Sequence, residues 1–305
     1  MTHQQIYTAA LTEFTAMQCD RRAYLLNFCE THDLKPIVIP VDDSRFIHVR
    51  RPGRITSLPS GVRTVFTAHY DRAPGSPGAN DNSAAVLALL FFLTGPVAAK
   101  SGLPIELLLS DREETPLGSS PRAQGAFRLG EMLKKKDASG IIFYHFDMCG
   151  VGDTVIVSEA GERLLERRGK AGTALYKKMN ALRTAFLDTR NPVLRGRLQS
   201  LPTPFSDNLG FLLQGFPVLQ FTFLPRREAV AYRRDFKKLT DEITALKTRT
   251  PEISALYKKR FDAIQPPTWR IRHTRADNTD SLTPGAFGLM QDLCAALVKW
   301  RLPVQ

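Results

Sequence analysis

The pattern of apolar and polar positions along this chain predicts an α/β protein. Apolar residues recur at helical spacing near the N-terminus, from Ile6 to Phe28, which predicts one or two helices. Further on, short runs rich in β-branched and aromatic residues predict strands, and the first of these is bracketed by Pro36 and Pro40. That run and the next are expected at a sheet edge, because proline cannot donate to a ladder. The predicted strands are 36–40, 46–49, 63–68, 103–109, 140–146 and 217–223.

Longer segments with helical periodicity alternate with these strands. Such alternation is typical of βαβ units, so we expect a mostly parallel central sheet flanked by helices on both faces. The chain is interpreted as one domain, 1–305, in which 226–263 forms an inserted helical hairpin broken at Thr250-Pro251. The hairpin is longer than most connections and is expected to be a lid or interaction element. The other predicted helices are 82–93, 124–136, 163–185 and 284–300.

Composition fits a globular protein with a full core. The chain has 305 residues, of which 43% are hydrophobic and 24% are charged. Its longest apolar run, Ala84 to Leu93, is shorter than a membrane span requires, and the N-terminus has no basic segment leading into an apolar one. Four cysteines without a CxxC spacing are expected to be reduced and mostly buried. These features predict a cytoplasmic protein that does not act at a membrane.

The formal charge of +12 raises the question of nucleic-acid binding. Much of the excess is local, because Arg226 to Arg260 holds eleven Lys or Arg against five Asp or Glu. No phosphate-binding glycine loop, zinc-finger spacing or aromatic RNA-binding strand accompanies it. We therefore expect no nucleic acid as main partner, and interpret the basic residues as solvated helix faces or as an attraction for acidic peptides.

Candidate chemistry stands where the apolar runs end. In sheets of this kind, ligands bind outside the carboxyl ends of the strands. Two imidazoles and three carboxylates suit divalent cations, zinc above all, and one further carboxylate is left to act as a base. The residues are His69, Asp81, Glu113, Glu114, Asp147 and His273.

Each of these residues also has a plain structural interpretation. His69 could be a strand-end histidine bonded to backbone, and Asp81 could be an ordinary helix N-cap. The Glu113-Glu114 pair could be an exposed acidic turn. Asp147 ends an apolar run, where an unpaired charge is costly, so a metal or a hydrogen-bonding role is favoured. Asp71 stands two residues after His69, where it can accept the second ring N–H and fix the tautomer.

The order of these motifs resembles the M28 family of zinc aminopeptidases, which also contains the glutaminyl cyclases. The motifs are His-x-Asp, Gly-Ala-Asn-Asp-Asn-Ser, Glu-Glu, Asp, Ser-Asp and His-Thr, spread over residues 60–300. The resemblance implies a phosphorylase/hydrolase-like zinc peptidase fold with two zinc ions. A centre with a single zinc ion stays open as an alternative. It implies that His69 and Asp147 bind one ion, Glu114 and His273 bind the other, and Asp81 bridges both. Glu113 would be the general base, and we count Asp71 with it among the catalytic residues.

One segment departs from the family pattern. Ser206-Asp207-Asn208 stands where many relatives have Ser-Asp-His, so an amide replaces an imidazole. We take Asp207 and Asn208 as candidate substrate-binding residues.

The predicted function is hydrolysis of N-terminal residues from peptide substrates by a dizinc aminopeptidase. Two alternatives stay open, a glutaminyl cyclase with a single zinc and an inactive metal-binding interaction module that uses the basic hairpin. The intact Glu113 argues against the inactive module. The preferred N-terminal residue and homo-oligomer formation stay open as well.

Overall fold

In the part of the chain that the structure describes, eight strands form one mixed sheet with helices packed on both faces. The computed structural model describes residues 2–52, 62–116, 118–138, 140–189, 191–245 and 251–300. The strands are β1 Ile37–Val41, β2 Ser44–Arg51, β3 Arg63–His69, β4 Ile105–Ser110, β5 Ile141–Phe146, β6 Thr154–Ser158, β7 Leu198–Leu201 and β8 Val218–Leu224. The helices are α1 His3–Thr15, α2 Arg21–Thr31, α3 Ala84–Thr94, α4 Pro96–Lys100, α5 Gly125–Lys135, α6 Ala160–Arg167, α7 Ala174–Leu187, α8 Asp207–Leu213, α9 Arg226–Ala245, α10 Pro251–Ala263, α11 Pro267–Arg270 and α12 Ala286–Lys299.

The strand order is β1-β2-β4-β3-β5-β8-β6-β7. The four central strands β4, β3, β5 and β8 are parallel, which confirms the predicted α/β fold class. Both sides of this centre are antiparallel, since β2 runs against β4 and β6 runs against β8. The carboxyl ends of the four parallel strands meet at one edge of the sheet, where ligands are expected to bind.

The central strands are buried because helices cover each face. On one face Phe66 packs in a cluster with residues of α1, α2, α3, α7 and α12, while on the other Val65 packs with residues of α5 and α8. Successive side chains point to opposite faces of the sheet, and both faces are covered by helices. The sequences of these strands are therefore continuous apolar runs. Helix α3 is buried from Ala84 to Leu93 and so lies inside the domain.

Among the described residues, no helix is long and apolar enough to cross a bilayer. All four cysteines are described and unpaired, and three of them are buried.

Several predicted elements differ from those observed. Strand β2 is internal rather than at an edge, because it pairs with both β1 and β4. The helix predicted at 163–185 is two helices, α6 and α7, interrupted where Gly169 and Gly172 adopt positive φ. Strands β6 and β7 were not predicted. No helix separates β5 from β6, so the βαβ pattern did not lead to β6.

The predicted helical hairpin is present as α9 and α10. Residues 246–250, which include the predicted break at Thr250, lie outside the described residues. Helix α9 buries Ala229, Tyr232 and Phe236 in a cluster with Met148 and Trp269. The hairpin is therefore attached by a packed apolar face to the segments that follow Asp147 and precede His273.

Candidate metal centre

The carboxyl edge of the parallel strands gathers the predicted ligands. His69 is the last residue of β3, and Asp147 directly follows β5. Glu114 lies in the loop after β4, and His273 lies in the turn after α11. Asp81 belongs to a buried turn, Ala79–Ser83, that precedes α3. Strand ends and loops thus bring together five residues that are distant in the sequence.

Asp81 stands between two groups of side chains. Its Oδ1 lies 3.1 Å from His69 Nε2, and its Oδ2 lies 3.3 Å from His273 Nε2. On the first side, His69 Nε2 is also 3.6 Å from Asp147 Oδ1. On the second side, His273 Nε2 is 3.0 Å from Glu114 Oε2. The two oxygens of one carboxylate therefore face two different imidazoles, each accompanied by a further carboxylate.

The donor set fits two divalent cations. In each group, His69-Asp81-Asp147 and Asp81-Glu114-His273, the donor atoms lie within 4.8 Å of one another. Asp147 Oδ1 and Glu114 Oε1 are buried oxygens without a hydrogen-bond partner. Buried carboxylate oxygens are normally paired or coordinated to a metal, since desolvation is otherwise costly. Nitrogen and oxygen donors in this mixture suit zinc.

The pKa values of the clustered side chains also favour a cation site. Burial opposes ionisation of the His69 imidazole, but the carboxylates of Asp147, Asp71 and Asp81 around its two ring nitrogens raise its pKa well above the usual value. Hydrogen bonds with Asp81 and Glu114 raise the pKa of His273 to about 10. Burial disfavours the charged form of Asp81, but hydrogen bonds from both imidazoles hold its pKa well below the usual range. The carboxylates thus favour positive charge at two neighbouring positions, where a cation would compete with protons.

Glu113 is held apart from the bridging group. Its Oε1 accepts a hydrogen bond of 3.2 Å from Gln124 Nε2, and its carboxylate lies with His69 and Glu114 in a third group of donors. Burial raises the pKa of Glu113 well above its ordinary value, although the nearby His69 lowers it. A carboxyl group with a raised pKa beside a cluster of ligands is suited to accepting and returning a proton.

Asp71 has a larger role in the geometry than its spacing from His69 predicts. Its Oδ1 lies 3.4 Å from His69 Nδ1, as expected for a residue that orients the ring. The same carboxylate also accepts hydrogen bonds from the backbone N–H groups of Glu113 and Glu114, at 3.3 and 2.9 Å. One side chain therefore lies beside the ring of a predicted ligand and fixes the loop that carries the acidic pair.

Asp277 is a site residue that sequence reasoning did not assign. It is fully buried, and its carboxylate accepts from the backbone N–H groups of Asn80, at 2.6 Å, and Asp81, at 3.1 Å. Burial raises its pKa to about 6. Its place four residues after His273 was the available signal. Asp277 fixes the turn that presents Asp81.

The two candidate substrate residues lie at the N-terminus of α8. Asp207 is fully buried and accepts a hydrogen bond from the Ser110 hydroxyl at the end of β4. Burial raises its pKa to about 7, while the nearby His69 lowers it. Asn208 uses both amide atoms inside the fold, since Oδ1 accepts from Ser206 N and Nδ2 donates to Gln220 Oε1. The substrate role of both residues stays a prediction.

One protein-family profile covers most of this chain. The profile described as Peptidase family M28 matches residues 53–298. A search of curated proteins finds no match.

Solved structures with the same fold include peptidases and a cyclase. A leucine aminopeptidase precursor from Bacteroides thetaiotaomicron is 16% identical, with 98% of this chain and 97% of that chain covered and a TM-score of 0.59. The LapA aminopeptidase of Legionella pneumophila is 14% identical, with coverages of 97% and 70% and a TM-score of 0.58. The glutaminyl cyclase of Porphyromonas gingivalis is 13% identical, with coverages of 97% and 95% and a TM-score of 0.55. At these identities the likeness establishes the fold.

Proposed function

This chain belongs to peptidase family M28, and from that membership we propose that it is a zinc aminopeptidase that removes N-terminal residues from peptides. The observation that carries the proposal is the position of Asp81, whose two oxygens face His69 and His273 separately. A carboxylate in that position can bind two cations at once, one through each oxygen.

The proposed centre would hold two zinc ions. His69 and Asp147 would bind one, Glu114 and His273 would bind the other, and Asp81 would be shared. Three protein ligands for each ion leave a position open, as in catalytic zinc sites. Bound zinc supplies a Lewis acid that polarises the scissile carbonyl and a means of activating water at neutral pH.

The protein residues then move the proton. Glu113 takes a proton from the attacking water through its carboxylate, whose orientation is supported by the 3.2 Å bond from Gln124. It returns that proton to the leaving amine. Asp71 accepts hydrogen bonds from the backbone N–H groups of Glu113 and Glu114, and so fixes the base and the neighbouring ligand relative to each other. Proton transfer by a positioned side chain contributes about 10²–10⁴-fold to rate.

A glutaminyl cyclase is the second candidate. The cyclase from P. gingivalis overlays on 97% of this chain with a TM-score of 0.55, close to the 0.58 of the Legionella aminopeptidase. In that case the ligands of one zinc would hold the ion that polarises the side-chain amide of an N-terminal glutamine, and Glu113 would carry a proton from the attacking amine to the departing ammonia. This reaction needs the ligands of a single ion, so the number of bound ions distinguishes the two candidates.

Metal content and substrate choice separate the candidates. We expect two equivalents of zinc in the purified protein by elemental analysis, with hydrolysis of aminoacyl anilides and no cyclisation of Gln-peptides. Asp81→Asn should lose both ions on dialysis, because an amide offers one neutral oxygen where the bridge needs two charged ones. Asp188→Asn, at an exposed position on the C-cap of α7, should retain them. One zinc with cyclisation of Gln-peptides would establish the second candidate instead, and two equivalents in Asp81→Asn would contradict the bridge.

A further inference from the structure

Arg21 reaches the metal centre from a part of the chain that the family profile does not match. The match begins at residue 53, whereas Arg21 is the first residue of α2. Its side chain is nevertheless buried, with 6% relative exposure, and its guanidinium lies 4.8 Å from the ring centroid of Phe14. The hydrogen bonds of this buried guanidinium show which segments of the chain it connects.

The guanidinium joins the two backbone segments that carry His69 and Asp81. Nη1 donates to the carbonyl oxygens of Tyr70 and Asp71, at 3.0 and 3.1 Å, just after His69. Nη2 donates to Pro77 O and to Ser83 Oγ, both at 2.7 Å, on either side of Asp81. One planar group therefore bridges the segment after β3 and the turn before α3.

The turn around Asp81 has little room to adjust without this contact. Gly78 has a φ of 61°, and a Cβ atom there would lie 2.7 Å from Asp81 O and 3.2 Å from Arg21 Nη2. The Ser83 hydroxyl that accepts from Arg21 also donates to Gly78 O at 2.6 Å. Arg21 is thus part of the packing that sets the path of the backbone through Asp81.

The acceptors of Arg21 are neutral carbonyl and hydroxyl oxygens rather than a carboxylate. Burying a charge costs several kcal/mol when no opposite charge is paired with it. An apolar side chain would attach α2 to the domain without that cost. What a guanidinium adds is a rigid fork of donors that holds several oxygens at fixed separations.

We propose that Arg21 is a positioning residue of the metal centre, which fixes the His69 segment relative to the Asp81 turn and thereby sets the affinity for the cation held by His69, Asp81 and Asp147. This inference rests on the proposed zinc function. It assigns the N-terminal helices a part in the site, although they contribute no ligand. Residues that orient metal ligands typically affect affinity by about 10–100-fold.

Arg72 offers a matched comparison at the same junction. Its guanidinium donates in the opposite direction, from the segment after β3 to the carbonyl oxygens of Thr15, Ala16 and Met17 at the end of α1, at 3.0, 3.2 and 2.6 Å. These hydrogen bonds of the Arg72 guanidinium attach the N-terminal helices to the domain, and only the Cβ of Arg72, which Arg72→Met retains, lies beside Gly78 in the Asp81 turn. If Arg21 only attaches those helices, substitution of either arginine should have the same consequence.

The experiment compares wild type with Arg21→Met, Arg21→Lys and Arg72→Met. Zinc affinity is measured by competition with a chromophoric chelator, and the free energy of unfolding is measured on chelator-treated protein. We expect Arg21→Met to weaken one of the two zinc-binding steps, the one assigned to His69, Asp81 and Asp147, by about 10–100-fold. The zinc affinity of Arg21→Lys should fall between those of wild type and Arg21→Met, because an ammonium group lacks the planar fork of donors. Arg72→Met should keep its zinc affinity within about twofold even if it loses stability. Added zinc should restore kcat in Arg21→Met while KM for peptide stays near the wild-type value.

Each outcome decides the proposal. If Arg21→Met does not fold, Arg21→Lys and the milder Ser83→Ala carry the test, and weakened zinc binding in both supports the positioning role. Unchanged affinity in folded Arg21 variants overturns it, as does an equal loss in Arg72→Met. If wild type itself binds no zinc, the proposed function fails and this inference fails with it. If wild type binds zinc and the variants bind equally, only the inference fails.

Discussion

Asp81 illustrates how a residue with an ordinary local interpretation acquires another role through its surroundings. An aspartate before an apolar helix is most often an N-cap. Here α3 begins at Ala84, Ser83 occupies the N-cap position, and no side-chain capping bond forms. Asp81 has non-helical backbone angles of −114° and 80°. Its side chain is therefore free of a capping role and faces the two imidazoles.

At the residue scale, Glu113→Gln should lower turnover by about 10²–10⁴-fold, because glutamine cannot accept the proton of the attacking water. Zinc content should be unchanged, since Glu113 is not among the residues proposed to bind the ions. Steady-state kinetics and elemental analysis on the same preparation test both statements. Glu131→Gln, at an exposed position on α5, is the control. Near-normal turnover in Glu113→Gln would show that another group takes the proton.

Asp207 predicts a pH dependence of stability. The unfolded chain ionises this carboxyl near pH 4, whereas burial raises its pKa in the native protein to about 7. Between these values the native state holds the extra proton, so the free energy of unfolding falls as pH rises through the window. Asn removes both the proton and the buried charge. Relative to wild type, Asp207→Asn should therefore gain about 2 kcal/mol between roughly pH 5 and pH 8.

Urea unfolding of chelator-treated protein at the two pH values measures this difference. Asp188→Asn, at its exposed position, should follow the wild-type profile throughout. An Asp207→Asn profile parallel to wild type would mean that Asp207 is ionised in the native protein across the whole range.

At the element scale, the packing of the hairpin changes how its role should be tested. Helix α9 covers Trp269, which is fully buried, so deletion of the whole hairpin would expose the core beside His273. Changes to its charged face avoid that problem. Arg233 and Lys238 are exposed on α9, and they belong to the basic excess predicted to attract acidic peptides.

Reversal of both charges, Arg233→Glu with Lys238→Glu, should raise KM for acidic peptides by roughly threefold or more at low ionic strength, because attraction becomes repulsion. The effect should shrink with added salt, since the screening length falls to about 3 Å at 1 M. Lys134→Glu with Lys136→Glu, on exposed positions at the end of α5, is the matched control. Equal KM values in all three proteins would leave the hairpin without a role in substrate attraction.

At the scale of the whole molecule, the centre ties together distant parts of the chain. Its proposed ligands come from five segments between His69 and His273, so the unfolded chain offers no formed site. Anything that binds only the native state stabilises it, by about 2.7 kcal/mol at 100 times the dissociation constant. Zinc in excess should therefore raise the melting temperature of chelator-treated protein by several degrees, whereas magnesium should not.

Differential scanning calorimetry measures the shift, and Asp81→Asn should abolish most of it. A zinc-independent melting temperature in wild type would contradict a native zinc site. An equal response to magnesium would indicate a general effect of divalent cations on this basic protein.

The sequence by itself determined most elements of the fold and the residue types of the candidate site. Periodicity identified the central strands and most helices because burial of one face or both faces imposes it. The ligand types stood at the ends of apolar runs, since the carboxyl ends of parallel strands share one edge of the sheet. His69, Glu114 and Asp147 could therefore be expected to meet.

Only the tertiary structure decided what holds those ligands in place. Asp277 binds the N–H groups beside Asp81, Asp71 binds those of the Glu113-Glu114 pair, and Arg21 joins the His69 and Asp81 segments. The tertiary structure also decided the internal position of β2 and the hydrogen bonds that Asn208 forms inside the fold. These contacts join side chains to backbone atoms far away in the chain. Backbone groups are the same in every residue, so no sequence pattern records which of them a side chain will meet.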